Sequence, residues 1–124
     1  MIVDASPIVA LGLNETSAPI IAHILAIPGP KWMSAATLTE ISIVRFRRAG
    51  ISPQQSYRDV LAMDIEIVPV TVSQSIVAAE ARVKFPIRFG DAFVYALAKE
   101  RNLPILTLDA EFAKTDAALV PLEN

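Results

Sequence analysis

The sequence contains no cysteine and only one histidine, His23. Without cysteine the chain can form neither a disulfide nor a thiolate metal site, and it has no thiol nucleophile. A single histidine also excludes a metal-free nuclease that uses one histidine as acid and another as base near neutral pH. The four glycines form no phosphate-binding loop motif. Any chemistry must therefore depend mainly on carboxylates.

Long hydrophobic runs are also absent. The longest mostly apolar stretch, residues 18–28, contains His23 and ends at a proline, whereas a bilayer span needs roughly 20 apolar residues. The first residues, MIVDAS, show no basic segment and no cleavable apolar segment, so we expect no export signal. With 124 residues, 53% of them hydrophobic, the chain is expected to fold as one domain over residues 1–124, cytoplasmic and without membrane contact.

The net charge is −2, which at first argues against a nucleic-acid partner. The charge is unevenly distributed, however. Residues 31–101 carry ten basic and seven acidic side chains, whereas the two ends together carry one basic and six acidic ones. The total charge therefore excludes neither an RNA partner nor an acidic site.

Short apolar segments alternate with segments of helical spacing along the chain. Serine before proline predicts a helix start with Ser6 as the cap and Pro7 at the first helical position. Strands are predicted at 2–3, 32–34, 65–70 and 104–108, with a possible fifth at 119–120, and further helices at about 17–26, 36–48, 52–63, 71–84, 90–101 and 110–114. This alternation predicts an α/β fold, a three-layer sandwich with a mainly parallel sheet of four or five strands between helices.

Four carboxylates occupy unusual places in this pattern. Asp4 and Asp109 follow predicted strands, at the sheet edge where open α/β proteins build their sites. Glu40 and Asp91 emerge from largely apolar helix faces, where a solvated charge is unfavourable. Taken singly, each acid has an ordinary explanation as a helix cap, a first-turn acid or a surface charge. Together they suggest a site for a hard cation such as Mg²⁺ or Mn²⁺.

The segments MIVDASPIVAL, SAATLTEISIV, FGDAFVYALAKERNLPILTLD and EFAKTD resemble PIN-domain ribonucleases, and most closely the VapC-type toxins of type II toxin–antitoxin pairs. The resemblance covers essentially the whole chain, with the acids in the family's order and spacing. It implies a PIN-like fold and a Mg²⁺- or Mn²⁺-dependent endoribonuclease that cleaves RNA. It also implies a homodimer and a cognate antitoxin that blocks the site.

The resemblance also assigns roles to individual residues. Asp4, Glu40 and Asp91 match the family's metal-binding acids, while the fourth acid matches either Asp109 or Asp116. Ser6 matches a hydroxyl residue that orients the first aspartate, although many relatives carry threonine where this chain has Ala5, which leaves open one hydrogen bond to that carboxylate.

Basic residues are candidates for RNA contacts. Arg82, Lys84 and Arg88 flank the loop that precedes Asp91, where positive charge suits phosphate binding. The arginines at 45, 47 and 48 point in different directions on one predicted helix, which favours a solvated surface.

Two other function classes are compatible with such a fold. One is a catalytically silent PIN-fold binding module, which the intact acids disfavour. The other is a phosphoacceptor receiver domain, which requires an acidic pair after the first strand and a lysine after a late strand. Here Asp4 stands alone and the late strand is followed by Leu108 and Asp109.

Overall fold

A computed structural model describes residues 1–123, and in this part of the chain four short strands alternate with six α-helices. In chain order the elements are β1 (Ile2–Val3), α1 (Ala5–Gly12), α2 (Ala18–Ala26), β2 (Trp32–Ser34), α3 (Ala35–Ala49), α4 (Pro53–Leu61), β3 (Glu66–Val68), α5 (Val72–Lys84), α6 (Phe89–Arg101), β4 (Ile105–Leu106) and a 3₁₀ helix (Ala110–Lys114).

All four strands are parallel, in the order β3-β2-β1-β4. Ile2 of the inner strand β1 is in register with Trp32 on one side and Ile105 on the other. The carboxyl ends of β1 and β4 therefore lie side by side. The α/β architecture with a parallel sheet is confirmed, and the sheet has four strands.

Alternate residues of the inner strands enter two different cores. Ile2 and Ile105 pack with α5, α6 and the 3₁₀ helix, whereas Val3 and Leu106 pack with helices α1 to α4 on the opposite face. Because both faces are covered, the strands are apolar throughout rather than alternating with polar residues. This produces the three layers expected from the sequence, with the sheet in the middle.

Local capping explains several helix ends. The Ser52 and Thr71 side chains accept hydrogen bonds from backbone N–H groups at the starts of α4 and α5. Gly50 ends α3 with a φ of 67°, a left-handed conformation that glycine adopts without strain.

The predicted start of the first helix was wrong by two residues. α1 begins at Ala5, with Asp4 rather than Ser6 at the cap position. Pro7 then lies inside the first turn, where its missing N–H leaves no helical hydrogen bond unmade. The Ser6 hydroxyl is used elsewhere, since it accepts a hydrogen bond from the N–H of Leu108.

The possible fifth strand is reduced to a single contact. Leu119 forms one isolated parallel bridge with Ile105, and β4 itself covers two residues instead of the five predicted. No helix in residues 1–123 is long and apolar enough to cross a membrane.

Candidate functional site

A cleft of about 300 Å³ opens at the carboxyl ends of β1 and β4, bordered by α1, α3 and α6. We call it the acidic cleft. Five carboxylates and two arginines line it, together with Ser6 and small apolar residues: Asp4, Glu15, Glu40, Asp91, Asp109, Arg48 and Arg88. Four of the five acids singled out in the sequence are thus brought together by four separate elements of the fold.

Asp4 is the most buried of these acids, with 3% of its surface exposed. Its backbone N–H donates to the carbonyl of Leu106, which fixes it against the end of β4. Although Asp4 is at the cap position of α1, its side chain makes no capping hydrogen bond. Instead, one carboxylate oxygen, Oδ2, accepts a hydrogen bond of 2.7 Å from the Thr107 hydroxyl. The Asp4 side chain therefore does not act as a helix cap, which was its ordinary explanation from the sequence.

Thr107 is the residue that joins the two strand ends. Its Oγ1 donates to Asp4 and accepts the N–H of Asp109 at 2.9 Å. Ser6 is within 3.4 Å of both Asp4 Oδ2 and Thr107 Oγ1, and its oxygen accepts the N–H of Leu108 at 2.9 Å. Because this chain has Ala5 where many relatives have threonine, one hydrogen bond to the Asp4 carboxylate was left open. Thr107 supplies most of that hydrogen bonding instead.

Asp109 and Asp91 are connected through Arg88. Asp109 caps the 3₁₀ helix, because its Oδ1 accepts the N–H of Glu111, while its Oδ2 is 2.9 Å from the Arg88 guanidinium. Asp91, in the first turn of α6, accepts the backbone N–H of Arg88 and is 3.7 Å from its Nε. The Arg88 side chain is 77% exposed, so this guanidinium covers the two acids from the solvent side.

Glu40 approaches the cleft from α3, facing Gly90 at the start of α6. A Cβ atom at position 90 would collide with Glu40 Oε1. A side chain at position 90 would therefore displace the Glu40 carboxylate from its place beside Asp91, whereas glycine leaves room for it.

The acids of the cleft have perturbed pKa values. Burial raises the pKa of Asp4 to about 6, against a smaller opposing effect of the Thr107 hydrogen bond and with a contribution from the charges of Asp91 and Glu40. Burial and then the charge of Asp91 raise the pKa of Glu40, and burial is also the largest influence that raises the pKa of Asp91. Burial alone would raise the pKa of Asp109, but the hydrogen bonds that its carboxylate accepts from the Glu111 N–H and from Arg88 lower that pKa overall. Burial thus disfavours the charged forms of Asp4, Glu40 and Asp91, whereas the charged form of Asp109 is stabilised.

The donor set of the cleft fits a hard divalent cation, since it consists of carboxylate oxygens without thiolate or imidazole. Within residues 1–123, however, no group of three or more acidic or histidine side chains is arranged so that it could hold a metal ion without movement. The Arg88 guanidinium supplies positive charge to two of the acids.

Three of the residues singled out in the sequence lie elsewhere. Asp116 accepts a 2.6 Å hydrogen bond from the Tyr95 hydroxyl and pairs with Lys99, away from the cleft. Arg82 donates to the carbonyl of Ile87 and so supports the loop before α6, and Lys84 lies over the Phe85 ring. Only Arg88 among the three basic candidates lines the cleft.

Sequence reasoning missed Thr107 and Glu15, and it assigned Arg48 to the solvated surface, whereas the structure places it at the cleft. A hydroxyl two residues before Asp109, at the end of a strand beside β1, was a usable signal for Thr107. Helical spacing gave no signal for Arg48, because at 100° per residue Arg47 is nearer than Arg48 to the Glu40 face, yet Arg48 is the one that lines the cleft. Glu15 lies in the connection between α1 and α2, for which the sequence pattern gives no direction.

A parallel α/β sheet with carboxylates gathered at its carboxyl edge is the arrangement that the sequence resemblance implied. The family model for the PIN domain matches residues 1–118, and the chain belongs to this family. It is a homologue of the ribonuclease VapC of Mycolicibacterium smegmatis, with 30% identity over 129 residues that cover 97% of this chain and 99% of that protein.

Solved structures of similar fold support the same assignment. VapC20 of Mycobacterium tuberculosis, described as a sarcin-ricin loop cleaving toxin, superposes with a TM-score of 0.83 at 21% identity, covering 96% of this chain and 97% of that one. A toxin–antitoxin complex from Klebsiella pneumoniae gives 0.74 at 17% identity, covering 96% and 95%. VapBC-1 from nontypeable Haemophilus influenzae gives 0.68 at 18% identity, covering 98% and 96%. At these identities the likeness is one of fold.

Proposed function

We propose that this protein is a metal-dependent endoribonuclease that acts as the toxin of a toxin–antitoxin pair. The observation that carries the proposal is the convergence of Asp4, Glu40, Asp91 and Asp109 on one cleft, in a chain homologous to a VapC ribonuclease. Three of these acids have raised pKa values, which is the electrostatic state that a bound cation relieves.

Each acid has a role in this proposal. Asp4 and Asp91 hold the principal ion, and Glu40 and Asp109 complete its surroundings or position the attacking water. When bound, Mg²⁺ or Mn²⁺ lowers the pKa of a bound water and neutralises charge on the phosphodiester. Thr107 keeps the Asp4 carboxylate directed into the cleft through its 2.7 Å hydrogen bond.

We assign the fourth acid to Asp109 rather than Asp116. Asp109 lines the cleft beside Arg88, whereas both carboxylate oxygens of Asp116 are engaged by Tyr95 and Lys99 outside it. Asp116 therefore holds α6 to the segment after the 3₁₀ helix, a structural function.

The test is RNA cleavage in the presence of Mg²⁺ or Mn²⁺ by the variants Asp91→Asn and Asp109→Asn, with Asp116→Asn as the matched control. We expect each cleft variant to lose at least about 100-fold in rate, because a ligand of the ion is lost, and the control to stay within about twofold. Full activity in Asp91→Asn would refute the mechanism, and loss in Asp116→Asn alone would reverse the choice of the fourth acid.

The alternative is a catalytically silent binding module, and calorimetric titration of Mn²⁺ separates the two. We expect saturable binding to the wild-type protein that is lost in Asp91→Asn. Absence of saturable binding, together with absence of cleavage, would favour the silent module.

The remaining parts of the proposal concern partners and location. The family's toxin–antitoxin complexes support a cognate antitoxin, and exposed Ile43, Phe46 and Tyr57 give this chain apolar surface for a protein partner. We also propose a cytoplasmic homodimer that consists of a single domain per chain. Light scattering on the purified protein, alone and with a co-expressed partner, tests both assemblies.

A further inference from the structure

Arg48 lies in the last turn of α3 and lines the same cleft as Glu40. Glu40, Val44 and Arg48 are spaced by four residues, and all three line the acidic cleft. Eight residues of helix place Arg48 about 12 Å from Glu40 along the helix axis. Its exposed side chain is therefore at the rim of the cleft, while Glu40 is half-buried within it.

The negative charge of the acidic cleft opposes RNA binding, and Arg48 is placed where it can offset that charge. An RNA strand carries a negative charge at every phosphate, and the five carboxylates of the cleft repel it. Of the two arginines that line the cleft, Arg88 is paired with Asp109 and Asp91. Arg48 forms no salt bridge within residues 1–123, so its guanidinium remains available to an incoming anion.

Its neighbours on the same helix have different surroundings. Arg45 is buried and paired with Asp59 at 2.8 Å. Arg47 lines a separate apolar groove between α3 and α4, beside Phe46 and Tyr57. A cation near the carboxyl end of a helix is favoured by the helix dipole, but that reason applies equally to Arg47 and Arg48. The cleft is what distinguishes Arg48.

We propose that Arg48 is a substrate-positioning residue that binds a phosphate of the RNA strand at the rim of the acidic cleft. This inference rests on the proposed ribonuclease function and adds a residue that reaches the strand beyond the carboxylates. Arginine suits this role because its planar guanidinium forms paired hydrogen bonds with phosphate oxygens. A contact with phosphate does not involve the bases, so it supports the binding of RNA of any sequence that enters the cleft.

The test compares Arg48→Gln with Arg47→Gln, which removes the same charge one residue away. Binding of a fluorescein-labelled pool of random single-stranded RNA is measured by anisotropy, with Asp4→Asn in all proteins to prevent cleavage. We expect Arg48→Gln to weaken binding roughly tenfold and to reduce the slope of log affinity against log salt concentration by about 0.7, the value for one phosphate contact on a single strand. Arg47→Gln should change affinity less than about twofold.

Kinetics with Asp4 intact separate positioning from a structural effect. Arg48→Gln should raise KM for the same RNA with kcat within about twofold, and Arg48→Lys should recover part of the loss, because a charge remains. Equal effects of Arg47→Gln and Arg48→Gln, or no effect of Arg48→Gln, would overturn the assignment of Arg48 as a positioning residue. If the wild-type protein cleaves RNA in that case, the proposed ribonuclease function stands. Absence of both cleavage and binding in the wild-type protein would overturn the function and the assignment together.

Discussion

The buried carboxylate of Asp4 should destabilise the metal-free protein near neutral pH. Its pKa is raised to about 6 by burial, from an ordinary value near 4. Because the folded state binds this proton more tightly than the unfolded state does, the stabilising contribution of the protonated form is complete below about pH 4 and is lost as the pH rises through 6. A difference of about 2 pKa units corresponds to about 3 kcal/mol of lost stability above pH 7.

The substitution Asp4→Asn removes this ionisation while keeping an oxygen that accepts the Thr107 hydroxyl. In EDTA at pH 7.5 we expect the free energy of unfolding to rise by up to about 3 kcal/mol, a large part of a typical total of about 5–15 kcal/mol. At pH 4 the gain should fall below about 1 kcal/mol, because the wild-type carboxyl is then protonated when folded. Urea denaturation at the two pH values measures the difference.

Asp64→Asn is the matched control, since Asp64 is an exposed acid, and its change should stay within about 0.5 kcal/mol at both pH values. An Asp4→Asn protein that is less stable than the wild type by the same amount at both pH values would refute the reasoning. It would mean that the carboxylate is well stabilised in its place and that burial does not determine its ionisation.

Two other predictions concern the contacts of the cleft. Arg88→Gln should tighten Mn²⁺ binding several-fold in calorimetry, because the guanidinium that neutralises Asp91 and Asp109 is removed. Arg48→Gln is the control, and an equal gain in Mn²⁺ affinity there would indicate only a general effect of charge. Thr107→Val should lower the free energy of unfolding by about 1–3 kcal/mol in urea denaturation, because the buried Asp4 loses its donor; an unchanged stability would contradict the importance of this hydrogen bond.

Much of the fold could be predicted from the sequence because its signals are local. Ser52, Thr71 and Gly50 mark the ends of predicted helices through their own hydrogen bonds or dihedral angles. β4 is shorter than predicted because Thr107, although β-branched, uses its side chain to bind Asp4 and Asp109 at the strand end. Such a contact between distant segments has no signature in the local pattern.

The same reason explains what the sequence left open in the site. Asp109 and Asp116 both follow β4, on either side of the 3₁₀ helix, and only the path of the chain through that helix decides which one faces the cleft. Likewise, helical spacing alone places Arg47 nearer than Arg48 to the Glu40 face of α3. The packing of α3 between a groove and the acidic cleft separates them.

The pairing of the first strand with the last has a consequence for the synthesis of the protein. Thr107, the partner of Asp4, is added to the growing chain 103 positions after it. Until residues 105–109 have emerged, β1 has no β4 beside it and the cleft lacks one of its walls. A growing chain therefore cannot gather the acids of the cleft before β4 and the residues that follow it have been synthesised.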